Sequence, residues 1–248
     1  MQNEETSDMT KLSREELLQF VGFFLGDVLV HYGMWFTESV KQLGIKNALE
    51  AEKGALQQYC PLALKRLAPH FGIELKDGLP TILASKSEDE LLALIADIAK
   101  TWLAGDGLWF QAVEAQLGMK LAKAVNDSCW SHFAHMEAFK IKNYLGLPEN
   151  SGLEGLEQAL KLRIYSTINP YATSWDENGN LLFKMLECRV QTSRRRKGMP
   201  DYPCKSAGIT EYTEFVKEID PQVLVENLWC PPDPVPSESV CAWRFRIK

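Results

Sequence analysis

The spacing of apolar and polar positions changes character about two thirds of the way along the chain. Up to about residue 150 the apolar residues sit in long segments opened by capping signals and closed by glycine, the layout of helices; from about residue 160 they alternate or cluster in short β-branched and aromatic runs. In this later part, "LRIYSTINPYATSW", the turn "DENGN" with Asn-Gly at its centre, and "LLFKMLECRVQTS" predict a β-hairpin whose second arm sets Leu186, Cys188 and Val190 on one face against Glu187, Arg189 and Gln191. "GITEYTEFVKEID" predicts an amphipathic helix with Tyr212, Phe215, Val216 and Ile219 on one side, stopped by Asp220-Pro221. Two more strands follow. In the last one Cys241, Trp243, Phe245 and Ile247 alternate with Ala242, Arg244, Arg246 and Lys248, the mark of a half-buried strand. Cys230 ends the strand before it, and "PPDPVP" is a stiff connection that cannot pair in a ladder, since proline lacks the donor. Strand, strand, helix, strand, strand predicts the α+β class: an antiparallel sheet of about four strands (ββαββ) with helices packed on one face.

The helical half reads as a duplication. Residues 13–73 align without a gap on 87–147, most clearly as "GMWFTESVKQLGIKNA" on "GLWFQAVEAQLGMKLA". Each copy opens on a capping box, Ser13 with Glu16 and Ser87 with Glu90. Each carries a glycine suited to a left-handed C-terminal cap, Gly44 or Gly118, and closes near a second one, Gly72 or Gly146. The chain thus divides into a disordered tail over 1–12, a helical region over 13–150 built of two repeats, and an α+β region over 155–248 packed on the helices as one compact unit. Residues kept in both copies, above all Trp35/Trp109 and Phe36/Phe110, are expected to be core anchors. Positions where the second copy turns polar are the better functional candidates: Glu114, Asp127, Cys129, His132, His135 and Glu137.

Composition narrows the function classes. With 248 residues, 46% of them hydrophobic, the chain can bury a substantial core. A net charge of −6 argues against a nucleic-acid partner. The polar start "MQNEETSDMTK" does not resemble a signal peptide and no uninterrupted apolar run reaches membrane-span length, which predicts a cytoplasmic protein with no membrane partner. There the six cysteines are expected to be thiols.

Three kinds of chemistry follow. Cys188, Cys204, Cys230 and Cys241 are candidate ligands for zinc or another soft metal, although none has a partner at knuckle spacing; the plain alternative is that they are buried thiols acting as small apolar groups. Cys204, beside Lys205 and downstream of the cationic run at 194–197, is a candidate nucleophile, with His132, His135 or Glu114 to supply acid and base. Arg194, Arg195 and Arg196, with Lys205, are candidate ligand-binding residues, because guanidinium groups grip carboxylates and phosphates bidentately.

Through "WFQAVEAQLGMKLA", "CRVQTSRRRKG", "PDYPCKSAGITEYTEF", "IDPQV" and "WCPPDPVPSESVCAWRF", the chain resembles an uncharacterised family of cytosolic proteins of anaerobic bacteria and archaea. More distantly, its end, over about residues 160–248, is similar to 4-vinyl reductase domains and aminothiazoline-carboxylate hydrolase-like proteins. That resemblance implies a domain that binds small, often apolar ligands, sometimes with a cysteine-held metal, and of its motif positions Cys230 and Cys241 carry over. "PPDPVP" stands where those relatives have a glycine-rich turn. The reading that follows is a small-molecule-binding or sensing protein for an anionic ligand with an apolar body. The alternatives are a hydrolase using Cys204 or a metal-activated water, and an interaction protein that forms a homodimer.

Overall fold

The computed structural model describes residues 8–248. It separates into two compact units, Met1–Gly78 and Leu79–Lys248. The division falls between the two sequence copies, not after the second at about residue 150, because the second copy shares a core with the sheet. Of the tail expected to be disordered over 1–12, residues 1–7 lie outside the described residues, while Asp8–Lys11 form a 3-10 turn.

The first unit is a helical pair, α1 (Arg14–Leu43) and α2 (Ile45–Leu67), followed by the two-residue strand β1 (Leu75–Lys76). The capping box is formed in full: Glu16 N–H donates to the Ser13 hydroxyl and Ser13 N–H to the Glu16 carboxylate. A single glycine joins the helices. Gly44 combines φ 78° with ψ 160°, a region open to glycine alone, and is not the left-handed cap expected from sequence; the left-handed residue is Gly72, at φ 64° and ψ 25°. Ala48 and Leu49 are buried, and Tyr32 donates to the Glu52 carboxylate at 2.9 Å. No residue of α1 is buried. By length and composition this helix is long and apolar enough to cross a membrane, although residues such as Asp27 interrupt its apolar run.

The second unit begins with strand β2 (Leu79–Pro80) and the single turn α3 (Thr81–Ala84), then repeats the helical pair as α4 (Glu88–Leu117) and α5 (Met119–Leu145). The repetition extends to the caps: the Ser87/Glu90 box is complete, Gly118 has φ 82° and ψ 167°, and Gly146 has φ 64° and ψ 31°. Next come α6 (Gly152–Lys161), the hairpin β3 (Tyr171–Trp175) and β4 (Leu181–Met185), the helices α7 (Arg189–Arg196) and α8 (Lys205–Ile219), and the strands β5 (Val223–Trp229) and β6 (Cys241–Ile247). The sheet order is β3-β4-β6-β5, antiparallel throughout, with Phe183 opposite Trp243 and Val225 opposite Phe245. This is the expected duplicated helical half followed by an antiparallel α+β sheet. Phe215, Val216 and Ile219 of α8 close over Trp243 and Phe245, all within 1% of full burial. Core truncations of such side chains typically cost about 3–5 kcal/mol.

Two sequence expectations fail here. The second hairpin arm stops at Met185, since Leu186 and Glu187 N–H both turn back to the Pro170 carbonyl at 2.9 and 3.3 Å and Arg189 N–H donates to Asn169 at 2.8 Å. Cys188 is therefore buried as the residue capping α7 and not as part of a strand face, and Arg194, Arg195 and Arg196 lie in the last helical turn, where exposed carbonyls favour cations. The tryptophans kept in both copies are not core anchors either: Trp35 is 68% and Trp109 71% exposed, whereas Phe110 is buried.

Candidate functional site

Within the second unit lies a cavity of about 770 Å³. Its wall comes from α4 and α5 (Leu103, Asp106, Phe110, Asn126, Trp130), from the segment before β3 (Tyr165, Ile168), from α7, from α8 (Ala207, Gly208, Glu211, Tyr212), and from the facing ends of β5 and β6 (Cys230, Cys241, Trp243). Much of that surface is apolar or aromatic, as in small-molecule sites. Gly208 is required for the shape: a Cβ there would lie 2.6 Å from the Trp243 ring.

A buried glutamine holds one side of the wall. Gln191 on α7 donates to the Tyr202 carbonyl at 2.7 Å and to the Cys204 sulfur at 3.0 Å, and accepts from Tyr202 N–H at 2.8 Å. Tyr202 in turn donates its hydroxyl to Asn126 at 2.8 Å and packs edge-on against Phe110. Cys188 is 3.3 Å from the Tyr165 hydroxyl, and burial pushes its thiol up to about 11. Cys230 interacts electrostatically with both Cys204 and Cys241. Hydrogen bonds to these two thiols, Cys204 first, hold the Cys230 proton in place and push its value up, while donation from Cys230 draws Cys241 down. The indole N–H of Trp243 is buried without a partner as the thiols stand, and a Cys241 thiolate would accept from it.

The charged groups are arranged in two layers. Deep behind the wall, Arg163 pairs with Glu137 at 2.8 Å and Glu211 at 2.6 Å, and lies over the Phe215 ring. Burial alone would lower the guanidinium value, but the two carboxylates outweigh it and raise it. Burial also raises Glu211, against the pull of Arg163, and raises Asp106. Both carboxyls line the cavity. On the other side, Lys100, Arg189, Arg194, Arg196 and Lys197 face the same space, with Glu187 the remaining carboxylate.

The model of a family of unknown function, DUF6125, matches residues 10–86 and again 84–247. The chain belongs to DUF6125. No curated protein and no solved structure matches it. The two matched stretches of this DUF6125 protein meet between the sequence copies, close to the division between the compact units.

Of the residues singled out from sequence, this DUF6125 chain gathers Cys188, Cys204, Cys230, Cys241, Arg194 and Arg196 around the cavity. The rest are elsewhere. Arg195 forms a two-point pair with Asp201, at 2.8 and 2.6 Å, and Lys205 pairs with Asp233 at 2.6 Å. His135 is tied to Glu218 at 2.9 Å, His132 to the Ser128 carbonyl of its own helix, and Glu114 lies near the end of α4; none of the three lines the cavity that Cys204 lines. The pairing of Cys204 with a histidine therefore has no basis in the geometry, since α8 presents Glu214 and Glu218 to His135 on another side of the helix. Nor do the thiols converge as a zinc site: among the described residues no three His, Cys, Asp or Glu side chains form a group able to hold a metal ion. Cys188 is engaged by Tyr165 and Cys204 by Gln191.

Sequence reasoning passed over Asp106, Asn126, Tyr165, Tyr202 and Glu211. A signal for the first two was present in the repeat, where they align with Tyr32 and Glu52, the hydrogen-bonded pair of the first copy. In the second copy the same two positions carry shorter side chains that border the cavity.

Proposed function

We propose that this DUF6125 protein is a small-molecule-binding or sensing protein whose ligand, an anion with an apolar body, occupies the cavity of the Leu79–Lys248 unit. The observation that carries the reading is the charge balance of an otherwise largely apolar wall. Five cationic side chains face the space, against three carboxyls, of which Glu211 is already paired with Arg163 behind the wall. Arg194 and Arg196 are the anion-gripping pair and the aromatic wall takes the apolar body. The distant resemblance of residues 160–248 to domains that bind small apolar ligands supports the same class.

Calorimetric titration with decanoate and with decanol tests it. Decanoate is expected to bind more tightly than decanol. In an Arg194→Ala/Arg196→Ala variant it should lose about tenfold or more, since a hydrogen bond to a charged group contributes about 1.5–3 kcal/mol. Equal affinity for both probes in both proteins would refute an anion site.

A second reading rests on α1. This helix exposes Phe23, Phe24, Leu29 and Trp35, among others, spread around its circumference. Under it, α1 is a self-association element that buries these side chains against a second copy.

A further inference from the structure

The thiols at the ends of β5 and β6 have a geometry that ligand binding does not use. The strands are antiparallel and their ladder ends with Trp229 paired to Ala242, so Cys230 and Cys241 are the next residues beyond that last pair. Opposed residues in such a pair have Cα atoms about 4.5–5.5 Å apart, inside the roughly 4.4–6.8 Å that a disulfide spans. Both are free thiols here. Cys230 is only 1% exposed, while Cys241 is partly exposed and both line the cavity, so a reagent that enters it meets Cys241 first. Cys204 is brought near by the Lys205 N–H bond to the Pro231 carbonyl at 2.9 Å, but its sulfur accepts from Gln191, and Cys188 is held by Tyr165.

We propose that Cys230 and Cys241 form a redox-active dithiol that exchanges with small disulfides admitted by the cavity. The Cys241 thiolate attacks one sulfur of a disulfide RSSR, a Cys241–S–SR bond forms as the S–S bond breaks, and RS⁻ leaves. Cys230 gives its proton to a departing thiolate and attacks the Cys241 sulfur, expelling the second RS⁻, which takes up the proton that Cys241 had lost. Two protein thiols are oxidised to one disulfide and RSSR is reduced to two RSH. Donation from Cys230, which favours the Cys241 thiolate, suits the order of attack.

The test uses the full natural chain, reduced and freed of reductant, then incubated without oxygen with excess bis(2-hydroxyethyl) disulfide and mapped by peptide mass spectrometry. The expected product is a peptide pair joined through Cys230 and Cys241, lighter than the reduced pair by two hydrogen atoms and restored by dithiothreitol. In Cys241→Ser, Cys230 should stay reduced, because the entry thiol is gone. Mixed disulfides confined to the exposed Cys60 and Cys129, or a bond from Cys230 to Cys204 instead, would overturn the assignment.

Discussion

Glu211 is the residue on which cavity and core depend together. It faces the cavity, pairs with Arg163, and is raised by burial above its ordinary value. The folded chain therefore keeps a proton on Glu211 at pH values where the unfolded chain has released it. That stabilisation is complete below the unfolded glutamate range and is lost as pH rises through the raised folded value. Asp106 contributes with the same sign. Urea unfolding of wild type and Glu211→Gln across the range from ordinary glutamate titration to neutrality is expected to show a shallower decline in the variant; parallel curves would contradict the burial of this carboxyl. At this scale the sequence was only partly legible. The cysteines and arginines stood out by type and Glu137 by divergence between the copies, yet Glu137 proves to be the buried partner of Arg163 and not a group at the cavity. Glu211 gave no signal, because a lone glutamate on an amphipathic helix looks like any solvated one until α5 and the Arg163 segment cover it.

Among elements, α8 does the most to position the site. It caps the sheet, supplies Cys204 at its start and Glu211 about two turns further on, and approaches Trp243 at Gly208. Gly208→Ala would set a Cβ 2.6 and 2.9 Å from Cζ2 and Cη2 of a fully buried ring, so the helix or the indole must shift. The expected loss is about 1–3 kcal/mol by urea denaturation, the usual range for overpacking, and an unchanged midpoint would show that the contact is not tight. The strands were readable from alternation, and β6 sits on the core face that Trp243 and Phe245 announced. Helix α7 was not. Its residues continue the alternation of β4, and what ends the strand is a set of hydrogen bonds to Pro170 and Asn169, partners distant in sequence.

At the scale of the molecule, the duplicated helical pair has diverged in what it buries. The second copy joins the sheet in one core with a cavity, and the first is a helical pair whose long helix has no fully buried residue. The repeat made that architecture legible early, down to the caps. It misleads on the shared tryptophans: similarity between copies suggests the core, whereas Trp35 and Trp109 are both exposed. If α1 associates with a second copy, sedimentation velocity should show a concentration-dependent dimer for the natural chain and a monomer for Phe23→Asp/Leu29→Asp, with unchanged helicity in both. A monomer at all concentrations would remove the self-association reading.

The central claim is that an anionic, apolar ligand fills the cavity beside the thiols, and site-resolved alkylation tests it most directly. Cys204 and Cys241 line the cavity, whereas Cys60 and Cys129 are exposed outside it and serve as references in the same sample. Iodoacetamide labelling followed by mass spectrometry, with and without saturating decanoate, is predicted to slow at Cys204 and Cys241 and to proceed unchanged at Cys60 and Cys129. Labelling that slows at none of the four, or equally at all of them, would contradict the account.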